Sequence, residues 1–523
     1  MKKGYINCNI WQNPATAFAT SDEYIIKVGT NQEIEELLCK EGAEIVDLKG
    51  MFVVPGFVDS HMHLAELGMY LSNVVLDDCH SNEEVVAKVK EKLVTTKAGE
   101  WIIGRGYNEE SFSDHQKPTR KMLDEISTEV PIALTRACGH VLSANTAALK
   151  AAGITEHTKV EGGNIDYENG FVEENALNSI HNAYPQPDEE KIKEYIHIGA
   201  SYANKFGVTT VGSDDFLAVT HDYKPVLRAF ESLAFKQDMT VRVNEQCEFK
   251  NPKEFSKFLD DGYTFDVGDD YFRIGPLKLI TDGSLGARTA YMKNAYADDP
   301  TTKGIASLEG DVIETYVRLA NEFNMPTIAH AIGDAALDNV LHVYKDTVLE
   351  GNPLHHGIVH CQIMRPDQIK QVLEQKLACY FQSIFIDYDA QILKSRVGNK
   401  LASTSYPYKT LFEGTLASNG SDAPVEMPDV LKGIECAVTR KSISYDACMN
   451  EEECLTVDEA IASFTTNGAK MLFMDHCIGA IQEGYYADFV VLEKDIRTIP
   501  VSDIHRTKVM LTVMDGNTVY SND

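Results

Sequence analysis

Two histidines one residue apart, His61 and His63, close the apolar run VPGFVDSHMHL. In a strand, residues i and i+2 face the same side, so both imidazoles can point into one cavity mouth as ligands of a single metal. Three more ligand-type residues end apolar runs elsewhere: His330 after MPTIA, His360 after HHGIV, and Asp422 in ASNGSDAP. Any one of these histidines alone could be a core residue bonded to a carbonyl. Four histidines and a carboxylate at strand ends together suit zinc, or one or two similar divalent cations.

Lys278 differs from these. It stands inside the apolar run GPLKLITDGS, and a buried ammonium is costly unless paired. One use is a salt bridge to a neighbouring carboxylate. The other is a lysine of lowered pKa whose neutral amine adds carbon dioxide. The resulting carbamate is a carboxylate on a long arm, able to bridge two metals about 3.5–4 Å apart.

Such ligands meet only if their strands share a rim. Apolar runs at 53–63, 207–213, 240–246, 272–284, 325–334, 355–362, 377–382 and 414–424 make eight candidate strands. Segments between them, such as EGDVIETYVRLANEF, carry apolar residues at helical spacing. Continuously apolar strands alternating with helices predict a parallel sheet, and eight of them an α/β fold of the closed (β/α)₈ TIM-like barrel type. Its C-terminal strand ends would form the common mouth.

Both chain ends read instead as short alternating strands, with Asp515-Gly516 as a hairpin signal. They are expected to pair into one small β-sandwich of residues 1–55 and 480–523. The barrel then spans 56–479 and includes an insertion of helices and loops at about 75–190, after the first barrel strand. Pro55-Gly56 would mark the passage from the small sheet into the barrel.

The 523 residues are 44% hydrophobic and 24% charged, ordinary for a globular chain. A net charge of −31 argues against nucleic-acid or anionic-membrane partners. Eleven cysteines without CxxC pairs fit reduced thiols in a cytoplasm rather than a disulfide framework. The N-terminus, MKKGYINCNIWQNP, lacks the apolar core of a signal peptide, and no run of about 18 apolar residues is present. The expected partner is a small-molecule substrate; a homo-oligomer is one arrangement open to the chain.

The motifs PGFVDSHMHL, GRGYNEESF, RACGHVLSANTAALKAAGI, LKLITDGSLGARTA, AHAIGDAA, IVHCQ, SDAPVEMP, TTNGAKM and GAIQEGYYADFVVL resemble those of the amidohydrolase superfamily, in the group that includes N-substituted formamide deformylases. The resemblance runs from about residue 45 to 515. It implies a metal site of His61, His63, carboxylated Lys278, His330, His360 and Asp422. It further implies that His61, His63, Lys278 and Asp422 hold one metal, and Lys278, His330 and His360 the other.

His140 and Asn145 in GHVLSAN, Arg288 after the turn DGSLGA, and Asp282 near Lys278 are candidates for substrate contact. Each has a structural alternative: a turn, or for Arg288 a pair with an acid. The expected reaction is hydrolysis of a C–N bond, an amide or formamide, by metal-activated water, with Asp422 as acid and base. The competing readings are another bond, such as an ester or cyclic amide, and a non-catalytic metal-binding relative. A phosphate-binding role for DGSLGA lacks the Walker and Rossmann patterns.

Overall fold

The computed structural model describes residues 2–39 and 43–522. Among them, eight parallel strands form one sheet in chain order: β1 (Phe57–Met62), β2 (Val208–Ser213), β3 (Arg242–Cys247), β4 (Phe272–Ile280), β5 (Thr327–Ala331), β6 (Gly357–His360), β7 (Ala378–Phe381) and β8 (Ala417–Asn419). All eight candidate strands are present. Helices connect them, and the one at Gly310–Glu322 buries Ile313, Tyr316, Val317 and Ala320, one helical face against the sheet.

The sheet curls until its first and last strands meet. Ser60 on β1 donates its hydroxyl to the Asn419 carbonyl on β8 at 2.8 Å. Beyond the strand ends, the backbone N–H groups of His63 and Asp422 donate to Ala423 and His61 carbonyls, each at 2.8 Å. This seam joins the loop carrying Asp422 to the strand carrying His61.

The run expected as one strand at 53–63 is two. Phe52–Pro55 pairs antiparallel with Phe489–Leu492, and β1 starts after Gly56. A side chain at Gly56 would press into Thr209, whose Oγ1 would lie 2.1 Å from an added Cβ. The Pro-Gly pair thus lets the chain leave one sheet and enter another under tight packing.

Two further sheets involve the chain ends. One is built from Lys2–Ile6, Ala17–Ser21, Tyr24–Gly29 and Glu44–Asp47. The other joins Asn9–Ile10 and Phe52–Pro55 to Phe489–Leu492, Val509–Met514 and Asn517–Ser521. Tyr5, Phe18, Val53, Phe489 and Val513 from both ends share one core. Asp515 (φ 58°) and Gly516 (φ 71°) make the tight hairpin turn that the Asp-Gly pair signals.

The insertion is a compact unit of its own, residues 68–188. Besides helices and loops it contains a mixed sheet in the order 163–166, 171–174, 141–144, 132–136, 102–107, 74–75. Strands such as GNID and FVEE pair with each other as a hairpin, but they are short and partly polar and leave little alternating apolar pattern. Among the described residues, no helix is long and apolar enough to cross a membrane.

Candidate metal centre

His61 lies near the end of β1, His63 just after it, Lys278 late in β4, His330 in β5, His360 at the end of β6 and Asp422 three residues after β8. The structure brings these six side chains to one end of the barrel. The Nε2 atoms of His61 and His63 stand 3.3 and 3.1 Å from the same Asp422 carboxylate oxygen. The rings of His61 and His360 are 5.8 Å apart between centroids, and those of His330 and His360 4.4 Å. Among the described residues, ligand atoms of His61, His360 and Asp422 all fall within 4.8 Å of one another.

The backbone is strained here. His360 (φ 83°) and Asp422 (φ 60°) sit in the left-handed region without being glycine, a conformation costing on the order of 1–3 kcal/mol that collects at functional sites. Asp59, buried on β1, holds the Asp422 loop in place by accepting from the Ser421 N–H at 3.0 Å.

Each imidazole is oriented from behind. Nδ1 of His61 meets Gln246 Oε1 at 2.5 Å, that of His63 the Asp214 carbonyl at 2.6 Å, that of His330 Asp282 at 2.8 Å and that of His360 Gln382 Oε1 at 2.8 Å. Every one of these partners is an acceptor, so Nδ1 carries the hydrogen and Nε2 presents a lone pair to the site. Gln246 is itself fixed by donating to the Ser60 carbonyl at 2.9 Å.

With both rings neutral, lone pairs on His61 and His63 face a carboxylate oxygen across hydrogen-bond distance. That contact is repulsive unless a proton or a cation lies between them. The donor set of imidazole nitrogens and a carboxylate is that of a divalent transition metal. Burial, reinforced by the neighbouring Lys278, lowers His61 to about 4. His360, buried beside His330, is also held well below the usual range. Both thus take the neutral form a metal requires. Burial opposes a charge on His63, yet the adjoining Asp422 carboxylate raises it to about 10. Asp422 is disfavoured as an anion by burial, but the close contacts with the His61 and His63 rings hold it well below the carboxylate range.

Lys278 is 1% exposed and its Nζ donates to Asp214 Oδ2 at 2.9 Å, with His61 Nε2 3.3 Å away. The second Asp214 oxygen is buried without a hydrogen-bond partner. Burial disfavours the Asp214 anion, but the Lys278 ammonium holds its pKa below the ordinary value. Sequence reasoning passed over this aspartate. It directly follows the apolar run of β2, in GSDDF, the same placement that singled out His330 and His360.

A family model for the amidohydrolase family matches residues 44–520. The chain belongs to the amidohydrolase family. YtcJ of Bacillus subtilis (strain 168) is 30% identical over 99% of this chain and 98% of its own length. The N-substituted formamide deformylase of Arthrobacter pascens is 25% identical over 96% and 94%. A solved metal-dependent hydrolase from Pyrococcus furiosus superposes with a TM-score of 0.81 at 28% identity, covering 95% of this chain and all of that one.

In this amidohydrolase the four residues expected to touch substrate have other partners. Asp282 is buried and accepts from His330 Nδ1 and from the backbone N–H groups of Ile332, Gly333 and Tyr291. It positions a ligand histidine and the loop around it. Arg288 forks onto Asp298 at 2.9 and 3.1 Å. Asn145 caps the helix at Thr146–Ala151 and donates to the carbonyls of Ser127 and Val130, so its amide is consumed by backbone. His140 lies exposed in the insertion, 3.1 Å from Glu174.

Proposed function

We propose that this amidohydrolase hydrolyses a C–N bond in a small non-peptide amide or formamide. The observation that carries the reading is the convergence of His61, His360 and Asp422, with each ligand imidazole locked by its Nδ1 partner. The formamide option draws on the Arthrobacter relative's name. A divalent cation, zinc by the donor set, would be held by His61, His63, His330, His360 and Asp422, and would acidify water and polarise a carbonyl.

Asp422 is the group placed to move protons. As an anion in the middle of the cluster it takes a proton from the attacking water. It then returns that proton to the departing nitrogen, which leaves as an amine. Asp282, Gln246 and Gln382 keep the imidazoles aligned throughout.

Lys278 can join this centre by carboxylation. Carbon dioxide adds to the neutral Nζ, forming a carbamate and releasing one proton. The pairing with Asp214 must be given up for this to occur. A carbamate there would add an anionic ligand that the His61–His63 and His330–His360 pairs could share, suited to a second cation. The cysteine pattern, without CxxC pairs, supports a cytoplasmic setting.

The test pairs metal analysis of purified protein with a panel of N-formyl, N-acyl and cyclic amides. Bound divalent metal and turnover of at least one N-formyl or N-acyl amide are expected, with loss of turnover in Asp422→Asn. Turnover of esters or cyclic amides alone would contradict the C–N acyclic reading. Labelled bicarbonate should give a carbamate carbon signal that disappears in Lys278→Ala.

A further inference from the structure

Loops following β4 to β8 line a half-open cavity of about 190 Å³ beside the ligand cluster. Ile332 and Gln362 in its wall each come two residues after a ligand histidine, and Glu426 comes four after Asp422. The Phe385 ring in the same wall stacks 6.0 Å from the His360 ring. A substrate whose scissile bond reaches the cluster therefore extends a side group here.

The wall is apolar over Leu285, Ile332 and Phe385, yet it includes two carboxyl groups, Asp389 and Glu426, and no lysine or arginine. Asp389 is 7% exposed and accepts a hydrogen bond from the Tyr406 hydroxyl at 2.7 Å. Glu426 makes no hydrogen bond or ion pair with the described residues. Gln362 is 1% exposed and its Oε1 has no partner. The nearest cations are engaged elsewhere: Lys432 with Asp387 at 2.7 Å, and Arg396 with Asp298. Burial pushes Asp389 up to about 6 and Glu426 up to about 7, outweighing the opposing pull of Arg396 on the first and Lys432 on the second. Two carboxyls thus flank an apolar slot whose wall holds no lysine or arginine.

We infer that this cavity seats the apolar body of a substrate carrying a cationic nitrogen, an ammonium held by Asp389 and Glu426. The substrate class is then amides of apolar diamines, acylated at one nitrogen and protonated at the other. An anionic group at that place would meet two carboxylates and be rejected. The net charge of −31 adds a long-range attraction for such cations. The inference rests on the hydrolase reading for the position of the scissile bond.

The probes are ketone analogues of N-benzylacetamide, in which a methylene replaces the scissile nitrogen, bearing hydrogen, aminomethyl or carboxylate at the para position. Binding to the full, metal-loaded chain is measured by calorimetry, and kcat/KM on the three matching amides beside it. The aminomethyl probe should bind about tenfold tighter than the neutral one, about 1.4 kcal/mol, and the carboxylate probe weakest. Glu426→Gln, whose native side chain makes no hydrogen bond, should bring the cationic and neutral probes to within about twofold. Asp389→Asn, with circular dichroism showing an intact fold, should act in the same direction. Equal binding of the cationic and neutral probes, or an unchanged ratio in Glu426→Gln, overturns the inference. Selective binding without hydrolysis of any amide keeps this inference and overturns the hydrolase reading. Hydrolysis of all three amides with equal kcat/KM does the reverse.

Discussion

The barrel buries two charged clusters, and they are built on opposite terms. At the start of β3, Arg242 is 1% exposed and completely engaged. It donates to Asp488 at 2.7 Å, to Asp515 at 2.9 Å and to the Asp270 carbonyl at 2.9 Å, and lies 3.8 Å over the Tyr486 ring. At the other cluster, imidazole lone pairs face a carboxylate, and oxygens of Asp214 and the neighbouring Glu245 are left without partners. The first cluster is complete as it stands and ties the C-terminal strands to the barrel. The second is complete only with a bound cation or extra protons. A satisfied buried ion pair is a joint; an unsatisfied one is a site.

The difference can be broken from either side. Asp422→Asn should lower kcat by about 10²–10⁴-fold while circular dichroism shows an intact fold; retained turnover would remove Asp422 from the chemistry. Arg242→Met leaves Asp488 and Asp515 buried without their cation. Denaturant unfolding should show a loss of about 3–5 kcal/mol, with metal content per folded molecule unchanged. If instead metal content fell and stability held, the two clusters would have exchanged roles.

Gln246→Leu tests the alignment of His61 alone. Metal affinity should fall about 10–100-fold in competition with a chelator, a smaller effect than removing a ligand. The smallest expected change concerns Glu426. Its folded pKa of about 7 lies above the ordinary 4.5, so between these values the native state keeps a proton that the unfolded chain has lost. Stability from this group is present below about pH 4.5 and fades as pH rises through about 7. Glu426→Gln should flatten that part of the Tm-against-pH curve; an identical slope in both proteins would show that the carboxyl is not perturbed by burial.

Much of this was legible in the sequence because the barrel strands are buried on both faces. Runs such as GVTTVGS and FRIGPLKLI carry that burial as mostly apolar or small residues without period-two alternation. Ligand residues at their ends stand out against it, as His330 and His360 do. Asp214 has the same placement but reads as an ordinary loop acid, since only the fold shows Lys278 reaching it. Asp282 was singled out for its nearness to Lys278, but which of its neighbours it serves depends on how β4 and β5 align. β3 is the instructive strand. RVNEQC has four polar residues in six, yet all six are buried, and Gln246 among them faces His61. The insertion's sheet is set by pairings up to tens of residues apart, such as 102–107 with 132–136, which no local window records.

The most direct test is anomalous diffraction at the zinc edge from crystals of the intact chain grown with zinc. The expected result is a peak contacted by Nε2 of His61 and His360 and by the Asp422 carboxylate. Zinc bound only elsewhere, with these three side chains left as a hydrogen-bonded cluster, would contradict the account.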